Sequence, residues 1–311
     1  MSDTLVESSA ESAFLDLHKK LVEQGSTGLS ELQQVALKRF EMLGFPHSKH
    51  EMYTYLNTRE LVESVFSLSS SSKKVSEEFI VSHIYPGCEN QCLVFVDGNL
   101  NHEFSRLKDI SNKLLPLSEA VSADQDLKKY LSETAENEND VFASLSAAFC
   151  GEGLVFKVGD KEKISESVQV LFVSTGDTSR PKMHSPRLLW KVGKLSEVKV
   201  IEKFVGMQEG YFTNLVQDWK VAEGAGVVLT QVQSDPFGAW NFHKTRVHLK
   251  RNSRFHSTNA SSGSVLVHNH FEVRLEEEGA ELTLNGVSVL SEKAQVHNFI
   301  RIHHEAPQCV S

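Results

Sequence analysis

The chain has 311 residues, 40% of them hydrophobic, and a formal charge of −9. That is enough apolar material for one large core or two smaller ones, and the acidic balance argues against a general nucleic-acid surface, which needs a basic excess to neutralise phosphates. No apolar run approaches the roughly 20 residues of a membrane helix, and Met1-Ser2-Asp3-Thr4 opens without an apolar signal core, so a cytoplasmic protein is expected.

The first stretch reads as helical. Ala13, Phe14, Leu17 and Leu21 share one face at i, i+3/i+4 spacing, with Gly25 placed to end that helix. A second helix, Ser30 to Leu43, carries Leu32, Val35, Ala36 and Phe40 on one side and stops at Gly44, with Pro46 close behind. A third starts at a Thr58 N-cap and runs through Leu61, Val62 and Val65. Ser67 to Lys74 is nearly all serine and lysine and reads as an exposed linker.

Gln91 to Asn99 then reads as one strand with a turn at Asp97-Gly98, a pair that accepts positive φ. Leu114 to Ala135 reads as an acidic helix and Val141 to Phe149 as an apolar one. The chain thus divides into a helical N-terminal region, 1–66, a mixed α/β connecting region, 67–151, and a β region, 152–311.

In the β region, the runs Leu215 to Val221, Val227 to Val232, Lys244 to Leu249, Ser264 to Leu275 and Ala280 to Leu290 alternate apolar and polar residues. In Thr245-Arg246-Val247-His248-Leu249 one face is aliphatic and the other polar and charged, so each strand is expected to need cover on one side only. Glu223-Gly224-Ala225 and Glu278-Gly279-Ala280 each precede an aliphatic run, as a tight turn returning in a solenoid would. Two ordinary turns of an antiparallel sandwich are the competing reading. A mainly β chain, a parallel β-helix behind a helical region, is the fold expected. Ile300 to His304 still reads as strand close to the end, and a solenoid needs a cap. Either the last strands are unusually polar or the sequence lacks its C-terminal part.

Histidine is the candidate chemistry. His243, His248, His256, His268, His270, His297, His303 and His304 all lie in the β region, and His268-Asn269-His270 puts two imidazoles on one strand face. A strand-borne metal site of that type takes a carboxylate and a further imidazole, for which Glu272 and His297 or His303 are candidates, and would make the chain a metal-dependent β-fold enzyme; an ordinary strand face is the plainer reading. His303, His304 and Cys309 form a second soft-metal candidate near the end. Cys88 and Cys92 have metal-like spacing but lack a second pair, so buried thiols are expected. No nucleophile elbow, phosphate loop or dinucleotide fingerprint is present. A carbohydrate-active β-helix would need a groove of carboxylates and aromatics in register, and aromatics are too few. On residues alone the chain reads as a binding or scaffold protein, with no catalytic residue assigned.

Several segments together resemble a known family. Arg39-Phe40, Gly44-Phe45-Pro46, Lys49, Glu51 and Tyr53-Thr54-Tyr55, then Leu93 to Gly98, His184-Ser185-Pro186-Arg187 and Ile201-Glu202 are similar to successive signatures of the SufB/SufD family of iron–sulfur cluster assembly proteins. Gly279 to Gly286, His297-Asn298, His303-His304 and Pro307 to Ser311 continue the likeness, and SufD is the closer branch. The resemblance implies a right-handed parallel β-helix in a scaffold subunit that is not an enzyme. It implies pairing with a SufB-like subunit and a SufC-like ATPase, and no resident cofactor, the iron–sulfur cluster passing transiently at the complex interface. Members of the family continue past the point that Ser311 matches, through the segment bearing the interface histidine and the SufC-docking helices, so no site residue carries over.

Overall fold

The computed structural model describes residues 2–23, 28–46, 51–68, 75–291 and 293–311, with side chains described from residue 11 onward. Gly25, Lys49 and all but the first two residues of the expected linker lie outside them. Helix α1 (Ser2–Glu23), α2 (Ser30–Leu43), a 3-10 turn at Glu51–Tyr53 and α3 (Arg59–Glu63) form the N-terminal layer. Phe14, Leu17, Ala36, Phe40 and Phe45 bury together in it, whereas Ala13 is exposed. Thr58 occupies the N-cap position of α3 without a capping hydrogen bond to its side chain; Asn57 Oδ1 accepts from the Arg59 N–H instead, at 3.2 Å. Val65 lies beyond this short helix and is exposed.

Ser67–Leu68 is a strand, β1, so the linker expectation fails there. Next come α4 (Glu77–Val81), β2 (Gln91–Val96), β3 (Asn99–Leu100), β4 (Arg106–Leu107) and β5 (Leu114–Pro116). Asp97 and Gly98 have φ of 47° and 82° and join β2 to β3 as an antiparallel hairpin. The single acidic helix expected from Leu114 is instead β5 followed by α5 (Leu117–Ala123) and α6 (Gln125–Glu136). Asp124 causes the break: its carboxylate accepts from the Leu127 N–H at 2.9 Å and starts a new helix. Helix α7 (Val141–Ala148) follows, N-capped by Asp140.

The remaining strands are β6 (Leu154–Val158), β7 (Val168–Ser174), β8 (Lys182–His184), β9 (Arg187–Val192), β10 (Glu197–Gly206), β11 (Tyr211–Val221), β12 (Gly226–Asp235), β13 (Ala239–Leu249), β14 (Arg254–Gly263), β15 (Leu266–Leu275), β16 (Glu281–Val289) and β17 (Gln295–His304). They wind into a β-solenoid of about 5 turns. One sheet runs β17-β15-β13-β11-β9-β6-β5 and the other β16-β14-β12-β10-β7-β2-β3. From β6 onward every strand pairing is parallel, apart from the antiparallel β5–β6 pair, which decides against the sandwich. Strand β2 joins the second sheet in parallel with β7.

Corners repeat from coil to coil. Leu195, Gly224, Asn252 and Gly279 all have positive φ, and the N–H groups of Leu195, Gly224 and Asn252 donate to the carbonyls of Glu223, Arg251 and Glu278 at 2.8–3.1 Å. Equivalent side chains therefore stack. Phe95, Phe172 and Phe204 form one ladder, and Trp190 and Trp219 lie face to face, 4.5 Å apart and within 2° of parallel.

The first sheet departs from the one-sided expectation, since β11 and most of β13 and β15 are buried on both faces. Their even-numbered side chains point away from the solenoid interior into a layer made by α2, α6, α7 and residues 51–66. The outer face of the other sheet is largely exposed along β12, β14 and β16, with Val228, His256, Val287 and Val289 on it.

Candidate functional site

Where the helical layer meets β13 and β15, charged side chains expected to face water are enclosed. The turn Glu138-Asn139-Asp140 between α6 and α7 is pinned from both ends. Glu138 Oε1 accepts from the Asn139 and Asp140 N–H groups, each at 3.0 Å. Asp140 Oδ1 accepts from the N–H groups of Phe142 and Ala143, at 3.0 and 3.1 Å, and from the Tyr53 hydroxyl at 2.6 Å. That leaves Asp140 Oδ2 for the solenoid, where it meets His270 Nδ1 at 2.6 Å.

Lys244 organises the strand side. Its ammonium is 3.3 Å from Glu138 Oε1, 3.0 Å from Glu272 Oε2 and 3.2 Å from His270 Nε2. An ammonium only donates, so Nε2 accepts and Nδ1 carries the ring proton toward Asp140. Arg246 pairs with Glu138 and Asp218, and Arg187 closes on the other side of Asp218. The Tyr130 hydroxyl lies 2.9 Å from Asp218 Oδ1 and 3.0 Å from His248 Nε2, and His248 Nδ1 reaches Glu276 at 2.7 Å.

Burial opposes ionisation of every acid in this network, and the bases override it. Burial would raise Asp140, but the His270 hydrogen bond and nearby positive groups hold its carboxyl well below the usual range. Against the same burial, Arg246 and Lys244 lower Glu138, and Arg187 and Arg246 hold Asp218 far down. Glu272 is pulled from its burial-raised position down to about 2, mainly by Lys244. Pairing, not solvent, keeps these groups charged. Beside them a cleft of about 390 Å³, lined by Tyr130, Glu138, Arg246, His248, Glu272 and His303, opens to solvent.

The strand-borne imidazoles share a face as expected, but their third neighbour is different. Among the described residues one group of three metal-type ligands exists, Asp140, His268 and His270. Glu272 is taken by Lys244, His297 sits beside His268 in register on β17, and His303 faces the cleft. The second soft-metal candidate does not assemble: His304 meets the Ser311 hydroxyl at 3.0 Å, and the Cys309 thiol donates to the Glu277 and Pro307 carbonyls. Cys88 and Cys92 are buried, and burial pushes the Cys92 thiol up to about 12.

His243 points into the solenoid, its ring 4.3 Å from Phe204 and both nitrogens unpartnered among the described residues. Nearby, Glu202 is fully enclosed, with one oxygen taking bonds from Gln217 and Gln231 at 3.1 and 2.9 Å and the other taking none. Asp140 escaped the sequence reading because it joins His270 across 130 positions. Its only local signal was an Asn-Asp pair ahead of an apolar helix, which marks an N-cap and nothing more.

Comparison with known proteins gives matches along most of the chain. Residues 172–311 match the model of the SUF system FeS cluster assembly, SufBD core domain, and residues 7–170 match that of the SufBD protein N-terminal region. An iron–sulfur cluster assembly SufBD family protein of Synechocystis sp. is 22% identical over 278 residues, 84% of this chain and 60% of that protein. The chain thus spans about 60% of the length of the curated relative it matches.

Proposed function

Because this chain belongs to the SufBD family of the SUF system for iron–sulfur cluster assembly, we propose that it serves as a scaffold or accessory subunit in that system, of the SufD type, and not as an enzyme. The observation that carries this is the order of the two family segments, N-terminal region then core, across nearly all of the chain. The fold supports it: the outer face of the sheet along β12, β14 and β16 is largely exposed, a flank of the kind another chain can cover.

In this reading a SufB-like subunit docks along the solenoid and a SufC-like ATPase completes the assembly in the cytoplasm. The iron–sulfur cluster is cargo, held transiently between subunits. No helix among the described residues is long and apolar enough to cross a membrane. Affinity co-purification of the tagged chain with SufB-like and SufC-like proteins from its own source is the test. A three-component complex that speeds cluster delivery to an apo-acceptor is expected; no complex, with delivery unchanged by adding the chain, overturns the proposal.

A further inference from the structure

Within the helix–solenoid contact one ring is left with nothing to bond. His268 is 2% exposed and lies between the Tyr53 and Phe242 rings at centroid distances of 5.6 and 5.4 Å. Neither of its nitrogens has a hydrogen-bond partner among the described residues. A neutral imidazole carries one N–H donor and one lone pair, and keeping both dry and unpaired is costly. An apolar side chain would fill this space without that cost.

The groups beside it suggest what such a ring is for. One ligand atom each from Asp140, His268 and His270 lies within 4.8 Å of the other two, and bonds of about 2.0–2.1 Å to a shared ion bring ligand atoms to about 4 Å or less from one another, so small side-chain rotations close the set. Two imidazoles and a carboxylate, with no thiolate, suit a divalent first-row metal. The surrounding charges leave room for a cation. Asp140, Glu138 and Asp218 balance Lys244, Arg246 and Arg187, and Glu272 adds a further negative charge at the margin.

We propose that Asp140, His268 and His270 bind one divalent transition-metal ion, which ties the start of α7 to β15. Asp140 Oδ1 stays with the helix N-terminus and Tyr53, and Oδ2 turns to the ion. His270 then binds through Nδ1 and carries its proton on Nε2, so Lys244 keeps only Glu138 and Glu272. Water from the adjoining cleft fills the remaining coordination.

The test uses the full chain stripped with a chelator, then loaded with Zn²⁺ or Co²⁺ either in the native state or during refolding. After desalting, elemental analysis is expected to give one ion per chain, with a ligand-field absorption for Co²⁺ and a raised thermal midpoint. His268→Ala removes a ring that makes no hydrogen bond, and a thermal melt of the metal-free variant checks that it folds. It is expected to weaken Co²⁺ binding by more than the roughly 100-fold typical of outer-sphere partners. His297→Ala, next to His268 in register but outside the set, is expected to bind as the wild type does. No stoichiometric ion in wild type under either loading, or an unchanged ion content in His268→Ala, overturns the site. None of these readouts involves cluster assembly, so the family-based reading stands or falls separately.

Discussion

Glu202 faces the solenoid interior with no access to water, and burial raises its carboxyl to about 7, against the pull of the Gln231 and Gln217 hydrogen bonds. Its folded value lies above the unfolded one, near 4.5. Folding therefore favours the protonated acid, and stability is lost as pH climbs from about 4.5 to about 7, then stays level. Glu202→Gln removes that penalty: denaturant melts should show the variant more stable at pH 8, by up to about 3 kcal/mol, and close to wild type at pH 4. Glu138 behaves oppositely. It holds Arg246 and Lys244 in a buried network, so Glu138→Gln leaves Arg246 to Asp218 and Lys244 to Glu272 alone and should lower unfolding free energy at pH 7 by about 1–3 kcal/mol.

At the scale of the coil, the corner sets the pitch. Gly279 has φ of 74°, and a methyl group there would press on the Asn252 side chain of the coil before it. Gly279→Ala should cost about 1–2 kcal/mol, whereas Asn252→Gly, at φ of 52°, should be nearly neutral; parallel thermal melts separate the two. These corners also show what a sequence can reveal. Glu223-Gly224-Ala225 and Glu278-Gly279-Ala280 announce two of them, but the corner between β13 and β14 uses Asn252 and carries no such mark. Strand β14 itself was illegible: Ser257, Asn259 and Ser261 occupy its inward positions, so a polar stretch of the interior leaves no apolar alternation to read. The shared face of His268 and His270 was legible from period two alone. Asp140 and Glu138 were not, because a contact between layers leaves no local pattern, and the same contact encloses strand faces that alternation assigns to solvent. The family likeness had already marked several of these positions without giving their work: Tyr53 bonds Asp140, and Arg187 pairs with Asp218.

For the whole molecule, the helical layer makes the two sheets unequal. One is sandwiched between helices and the solenoid core, while the other shows Val228, Val287 and Val289 to solvent. If that bare flank receives the SufB-like subunit, Val287→Lys together with Val289→Lys should abolish co-purification. Both positions are exposed, so the thermal midpoint should change little.

The facing indoles of Trp190 and Trp219 have an optical consequence. Two chromophores at van der Waals distance, held by adjacent turns of the winding, couple their transitions. The circular dichroism of the native chain should carry a split signal from this pair that vanishes in a Trp190→Phe variant. The protein thereby contains its own gauge of whether successive turns remain in register, readable in solution as partners or ions are added.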